Sequence, residues 1–126
     1  MTSLGERFPR LPILTPEERV GTTLAGKYRL ERLLARGGMG TIFAALHEWT
    51  ERPVAVKLLN YEYARDEETV RRFLQEARAA ARLKHPNVVD VLDMGREPDG
   101  SVYLVLELLE GQTLKDFLRD LSLIHI

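Results

Sequence analysis

The pattern of apolar and polar residues divides the chain near residue 24. Before that point there is no apolar period, and Pro9, Pro12 and Pro16 break any helix longer than about one turn. We therefore predict a flexible N-terminal tail over residues 1–23, in which residues 15–18 begin a short turn of helix.

Three β-prone runs follow, at residues 28–33, 41–45 and 54–59. The first alternates apolar and charged residues, which is the period of a half-buried strand. The second begins with β-branched and aromatic residues. A glycine-rich turn at residues 36–40 separates these two runs, and a polar loop at residues 48–53 precedes the third.

The third run predicts which side chains lie together in the sheet. Successive side chains of a strand point to opposite faces. Val54, Val56 and Leu58 are therefore predicted to share one face, and Ala55 and Lys57 the other.

A helix is predicted from Asp66 to about Lys84. Asp66 is a favourable N-cap, and acidic residues follow in the first turn, where the helix dipole favours them. The helix should end before Pro86, which disfavours helical geometry in the preceding residue. Glu76 lies at the edge of the apolar stripe. The members of that stripe recur at helical spacing: Val70, Phe73, Leu74, Ala77 and Ala81.

Two more strands and a second helix complete the pattern. Residues 88–92 and 101–107 are predicted strands, and residues 97–100 between them have the composition of a tight turn. Thr113 is predicted to cap a short helix, with Asp116 in the position of a capping box.

Composition excludes several classes of function. The 126 residues carry a formal net charge of -1, which gives no broad basic field for nucleic acid or for an anionic membrane. The absence of cysteine excludes a disulfide framework and a thiolate metal site, and it fits a reducing cytoplasm. No apolar run approaches the ~20 residues of a membrane helix. Asp90, Asp93 and Asp99 are interpreted as strand and turn residues, so no metal ligands are predicted.

The glycine cluster Gly37, Gly38 and Gly40 suggests contact with an anion, because glycine lets backbone N–H groups approach closely. Taken alone, the cluster is better explained as part of an ordinary hairpin. Dinucleotide-binding and Walker-type loops open directly into a helix. Here a predicted strand follows, which excludes those loops and favours the phosphate-covering lid of a protein kinase.

Lys57 lies within an apolar strand, and an ammonium without a partner is costly to bury. Two interpretations stay open: a phosphate-binding cation beside the small Ala55, or an edge-strand lysine that extends to solvent. Glu76 is the natural partner of Lys57. It could instead pair with Arg72, four residues earlier on the same helix.

From residue 24 to residue 120 the sequence resembles the N-terminal lobe of bacterial Ser/Thr protein kinases. This resemblance implies an α+β fold: a five-stranded antiparallel sheet, one major helix (αC), and the start of the C-lobe. The similar segments occur in the family's order: the glycine-rich loop at 34–43, the strand with its lysine at 54–57, the αC motif at 73–76, the link at 85–89 and the last strand with the hinge at 103–111. Ala35 differs from the family, which usually has glycine there.

The resemblance also implies the role of each site residue. Lys57 would hold the α- and β-phosphates of ATP and pair with Glu76, and these two are the implied catalytic residues. Ile42 and Ala55 would enclose the adenine. Leu106 would be the gatekeeper, and Glu107 and Leu109 would hydrogen-bond the adenine edge through their backbones. The implied ATP-binding set is Ala35, Arg36, Gly37, Gly38, Met39, Gly40, Ile42, Ala55, Lys57, Leu106, Glu107 and Leu109.

The chain contains no His-Arg-Asp or Asp-Phe-Gly motif. The resemblance places the catalytic base and the Mg²⁺ ligands in the C-terminal lobe, so we expect a truncated kinase domain that is inactive alone. The complete protein would transfer the γ-phosphate of ATP to Ser or Thr of protein substrates. It would be cytoplasmic, or anchored to the membrane through a region outside this chain. Residues 121–126 are expected to be a non-native tail. A pseudokinase or kinase-like scaffold that binds nucleotide or partners without catalysis is the alternative.

Overall fold

The structure is a computed structural model, which describes residues 14–82 and 90–108. Its main feature is an antiparallel sheet of six strands in the order β1-β2-β3-β4-β6-β5. In chain order the elements are α1 (Pro16–Arg19), β1 (Thr23–Leu24), β2 (Tyr28–Arg36), β3 (Gly40–His47), β4 (Arg52–Leu59), α2 (Tyr61–Ala64), α3 (Glu67–Arg82), β5 (Val91–Arg96) and β6 (Val102–Glu107).

The alternation along β4 separates the core into two clusters, one on each face of the sheet. Val54, Val56 and Leu58 belong to one cluster, while Ala55 packs on the opposite face with Phe73 of α3. The predicted division of the β4 side chains is confirmed. The cluster that contains Ala55 and Phe73 is called the α3-facing cluster. Lys57 pairs with Ile42 and Leu104 across the neighbouring strands, and both of these belong to that cluster.

Helix α3 begins as predicted. Asp66 accepts a hydrogen bond from the backbone N–H of Glu68 at 3.2 Å and from the Thr69 hydroxyl at 2.8 Å. The apolar stripe differs by one position at its end, because Ala80 is buried while Ala81 is only partly buried. Lys84, where the helix was predicted to end, lies outside the described residues. The short helix α2, which precedes α3, was not predicted.

The sheet curls so that its two edges approach each other. Tyr28 of β2 donates its phenolic hydrogen to Asp93 of β5 at 2.7 Å. The backbone N–H of Ala25 donates to the Glu97 carboxylate, and Arg19 donates to the Ser101 hydroxyl at 2.9 Å. These bonds connect the beginning of the described chain to its end.

The second half of the predicted tail takes part in this closure. Thr15 and Glu18 form a capping box, which confirms the short turn of helix predicted at residues 15–18. Thr23 and Leu24 pair with β2 and add a sixth strand to the five that were predicted.

The fourth predicted strand was placed too early. We predicted residues 88–92, whereas β5 runs from Val91 to Arg96. Residues 88 and 89 lie outside the described part of the chain. The polar residues Asp93 and Arg96 misled the sequence interpretation, because their side chains satisfy long-range hydrogen bonds within the strand.

Candidate functional site

The candidate site is built around the side chain of Lys57, which passes directly beneath Gly40. A Cβ atom placed on Gly40 would lie 3.1 Å from Cε of Lys57 and 2.9 Å from the carbonyl oxygen of Leu58. A real Cβ would force at least one of these neighbours to move. The third glycine of the turn is therefore required by the close approach of β4, which brings the glycine-rich loop over the lysine.

Lys57 is half-buried, and two residues of α3 lie close to its ammonium. Nζ lies 5.9 Å from the centroid of the Phe73 ring. Burial lowers the pKa of Lys57, whereas the negative charge of Glu76 acts in the opposite direction and favours the ammonium. The charge of Glu76 on α3 thus acts on the ammonium of Lys57 on β4. Arg72, the other partner considered for Glu76, interacts instead with Glu68 at 3.5 Å.

The glycine-rich loop has a defined hydrogen-bonded turn. The backbone N–H of Gly37 donates to the carbonyl of Gly40 at 2.8 Å. Met39 at the tip is exposed, and Arg36 forms an ion pair with Glu17 of α1. Ala35, which replaces the usual glycine, pairs with Ile42 and packs against the α3-facing cluster.

The side chains assigned to the adenine are apolar and lie on the same face as Lys57. Ala55 and Leu106 pair across β4 and β6 and are fully buried, and Ile42 is nearly so. The backbone N–H of Glu107 donates to the carbonyl of Asp90 at 2.9 Å. The predicted role of Leu109 falls outside the described residues.

Sequence reasoning missed Asn60 at the end of β4. Its backbone N–H donates to the carbonyl of Met39 at 2.7 Å, and its side chain donates to the carbonyl of Gly38 at 3.1 Å. A signal was available, because an asparagine directly after a strand and before a helix is a common capping residue. That signal indicates a helix start and gives no hint of a contact with the loop.

Comparison with known proteins agrees with this geometry. The family described as "Protein kinase domain" matches residues 28–125, which include the whole β-hairpin of the glycine-rich loop, Lys57 and Glu76. This chain belongs to the protein kinase family. The matched range also includes residues 121–125, whose non-native origin stays a prediction.

Individual relatives of this kinase chain are bacterial. It is 44% identical over 102 residues to the serine/threonine-protein kinase pkn3 of Myxococcus xanthus, an alignment that covers 81% of the chain and 19% of pkn3. It is 45% identical over 114 residues to the serine/threonine-protein kinase PknA of Mycobacterium tuberculosis, covering 85% of the chain and 26% of PknA. The kinase chain therefore spans about a fifth to a quarter of the length of these relatives.

A solved structure has the same fold. A mutant of the Mycobacterium tuberculosis PknI kinase domain superposes on the kinase chain with a TM-score of 0.61 and 35% sequence identity, over 73% of the chain and 36% of the solved kinase domain. The curled antiparallel sheet with its packed helix is thus a kinase-like N-terminal lobe, as predicted. The relatives are named as kinases, which does not favour the pseudokinase alternative.

Within residues 14–82 and 90–108, no helix combines the length and the apolar character needed to cross a bilayer.

Proposed function

We propose that this chain is the ATP-binding lobe of a bacterial Ser/Thr protein kinase. The observation that carries the proposal is the half-buried side chain of Lys57, which lies beneath Gly40 and is subject to the negative charge of Glu76. A cation kept in an apolar sheet is costly unless an anion compensates it. Glu76 supplies negative charge to this site, and the phosphates of a nucleotide would supply more.

Each site residue has a specific task in this proposal. Lys57 attracts the phosphate chain, and Glu76 keeps the ammonium charged and oriented. Backbone N–H groups at the tip of the glycine-rich loop, such as those of Met39 and Gly40, donate to phosphate oxygens from above. The backbone of residues 107 and 109 would hydrogen-bond the edge of the base.

The apolar face formed by Ile42, Ala55 and Leu106 suits a flat base, because it offers small and branched aliphatic side chains in one row. Ala55 is fully buried in the structure. A base that lies over Ala55 must therefore displace part of the apolar packing, and we expect nucleotide binding to open this face of the lobe.

The activity of the whole protein is also a proposal. ATP supplies the transferable γ-phosphoryl group, and a second lobe would supply the catalytic base and the Mg²⁺ ligands. Among residues 14–82 and 90–108 there is no group of three metal-ligating side chains. In this proposal the described residues bind and orient the phosphate chain. The proposed acceptors are Ser and Thr hydroxyls of cytoplasmic proteins.

The test compares two lysines that differ in burial. Lys57→Met should weaken ATP binding to the chain by at least about tenfold, or about 1.4 kcal/mol, in calorimetric titration. Lys27→Met is the matched control, because 41% of the Lys27 side chain is exposed and Lys27 pairs with Asp93 on the far edge of the sheet. Equal ATP affinities for wild type and Lys57→Met would refute the assignment.

A second experiment addresses catalysis. In a longer form of the protein that includes the second lobe, Lys57→Met should abolish phosphoryl transfer to a protein substrate, whereas Lys27→Met should retain it. ATP binding without any transfer by the longer wild-type protein would favour the kinase-like scaffold.

A further inference from the structure

Asn60 occupies the N-cap position of α2, yet its side chain makes no capping hydrogen bond. Asparagine at such a position ordinarily accepts from a backbone N–H in the first turn of the helix. Here the side chain is directed to the glycine-rich loop. A good capping residue that does not cap its helix indicates another role for the side chain.

The backbone carbonyl of Asn60 accepts from the N–H groups of Tyr63 and Ala64 in α2, whereas its side chain and its backbone N–H bond to the loop or to the strand that leaves it. Its Nδ2 atom donates to the carbonyl of Gly38 at 3.1 Å and makes a long contact of 3.5 Å with the carbonyl of Gly37. Its backbone N–H donates to the carbonyl of Met39 at 2.7 Å. One residue thus holds three successive carbonyl groups of the turn.

Thr41 fixes the orientation of the Asn60 amide. The Thr41 hydroxyl donates to Oδ1 of Asn60 at 3.3 Å, and Thr41 is the one polar residue that is buried within the described chain. With Oδ1 bound in this way, Nδ2 faces the loop carbonyls. The reversed amide would place an acceptor against two other acceptors, which is unfavourable.

These bonds also determine where the N–H groups of the loop point. The described residues contain no cis peptide bond, and across a trans peptide the N–H points opposite to the carbonyl of the preceding residue. Because the carbonyls of Gly38 and Met39 are directed to Asn60, the N–H groups of Met39 and Gly40 point away from it. The turn therefore presents donors on the side opposite to Asn60.

We propose that Asn60 is a positioning residue that orients the peptide planes of the glycine-rich loop for binding a nucleotide polyphosphate. The proposal rests on the ATP-binding function proposed above and adds a residue to it that the family resemblance did not include. Asn60 acts through the loop backbone and does not itself touch the nucleotide. Its removal should weaken the binding of phosphate groups and leave the affinity for the base unchanged.

Two substitutions separate positioning from charge and from helix capping. Asn60→Ser is neutral and Asn60→Asp is isosteric, and both residues are good N-caps, so α2 should be preserved. Ionised aspartate has no donor, and the serine hydroxyl ends one bond short of the position of Nδ2, so both variants lose the bond to the Gly38 carbonyl. We expect each to reduce ATP affinity by about tenfold, which corresponds to about 1.4 kcal/mol. Affinity for adenosine should stay within about twofold of the wild-type value. A loss in Asn60→Asp alone would show charge repulsion and would overturn the proposal.

Thr41→Val should also lower the affinity for ATP, because it removes the hydroxyl that orients the Asn60 amide. Thr50→Val is the matched control, since Thr50 is exposed in the turn at the other end of β3. Equal ATP affinities for Thr41→Val and Thr50→Val would contradict the orienting role of Thr41.

Hydrogen exchange of the nucleotide-free chain tests Asn60 independently of ATP. In both Asn60 variants the N–H of Gly37, which is bonded to Gly40 across the turn, should exchange at least about tenfold faster. Unchanged exchange would overturn the proposal even if ATP binding fell. The two measurements can also disagree. If the Gly37 N–H exchanges faster in the Asn60 variants but the wild-type chain binds no ATP, Asn60 still anchors the loop. That result would refute the ATP-binding function and the nucleotide part of this proposal.

Discussion

The hydroxyl of Tyr28 on β2 lies 2.7 Å from the carboxylate of Asp93 on β5, and this hydrogen bond links two strands that are not neighbours in the sheet. Lys27 approaches the same carboxylate at 3.6 Å. Asp93 also accepts the backbone N–H of Met94 at 2.8 Å. Asp93 thus accepts from β2 and from its own strand, and it connects two parts of the sheet that are not neighbours.

Tyr28→Phe should destabilise the lobe. The substitution removes a donor to a charged acceptor while it keeps the ring that packs in the core, so we expect a loss of about 1.5–3 kcal/mol. Tyr61→Phe is the control, because the Tyr61 ring is exposed on α2. Denaturant unfolding near neutral pH measures both variants, and equal stabilities would contradict a role of the Tyr28 hydroxyl in closing the sheet.

The same hydroxyl predicts a pH dependence. Burial and then the nearby Asp93 raise the pKa of Tyr28 well above its ordinary value. The unfolded chain releases this proton near its ordinary pKa of about 10, at which the folded lobe still retains it, so stability should fall as the pH rises above about 10. The decline should be shallower in Tyr28→Phe. It should not vanish, because burial and Asp93 also raise the pKa of Tyr103. Parallel curves for the two proteins would contradict this assignment.

Gly40→Ala should destabilise the lobe and displace Lys57. The new methyl group would lie 2.9 Å from the Leu58 carbonyl oxygen, which belongs to the backbone of the sheet and yields less easily than a side chain. Overpacking of this kind typically costs about 1–3 kcal/mol. Gly38→Ala is the control for stability, because a Cβ at Gly38 meets nothing within 4 Å. Thermal unfolding of the two variants should therefore differ, and equal melting temperatures would show that β4 relaxes around the methyl group.

Arg96 connects β5 to α2 and to α3, and α3 is the helix that carries Glu76. Its guanidinium donates to both carboxylate oxygens of Glu67, at 3.0 and 3.3 Å, and to the carbonyl of Ala64 at 3.1 Å. Arg96→Ala should cost about 1.5–3 kcal/mol, as expected for hydrogen bonds between charged groups. Arg71→Ala, which removes an exposed pair with Glu68, should cost no more than about 1 kcal/mol. Similar losses in denaturant unfolding would argue against a special role for Arg96.

The sequence predicted the elements whose pattern is local. The face of Ala55 and Lys57 follows from alternation along a single strand, and the start of α3 follows from Asp66 and the acidic turn after it. The glycine-rich turn followed by a strand also predicted the hairpin. In each of these cases the decisive residues lie within a few positions of one another, so that periodicity and capping preferences suffice.

The contacts that close the sheet could not be predicted in this way. Tyr28 and Asp93 are separated by 65 residues, and Arg19 and Ser101 by 82. Polar residues such as Asp93 and Arg96 reduced the strand signal of β5, although each is satisfied by a distant partner. Asn60 is a further example, because its propensity indicates a helix cap whereas its side chain binds the loop.

Lys57→Met should preserve or increase the stability of the lobe. Burial lowers the pKa of Lys57 despite the opposing charge of Glu76, so the folded state binds its proton less tightly than the unfolded chain does. Between the lowered pKa and the ordinary value of about 10.4, the unfolded chain holds more protons, and wild-type stability gains from rising pH. Below that interval the buried ammonium destabilises the fold, and a methionine removes this cost. The neutral side chain also retains packing against Phe73.

The measurement is the difference in unfolding free energy between wild type and Lys57→Met as a function of pH. That difference should move in favour of the wild type as the pH rises toward about 10, and the tyrosine contributions cancel because both proteins share them. Glu76→Gln should steepen the wild-type trend, since the ammonium then loses its compensating charge. A Lys57→Met variant that is clearly less stable than wild type at neutral pH would mean that Lys57 is a structural residue. A stable variant that has lost ATP binding would mean instead that the lobe sacrifices stability to hold a cation for the phosphates.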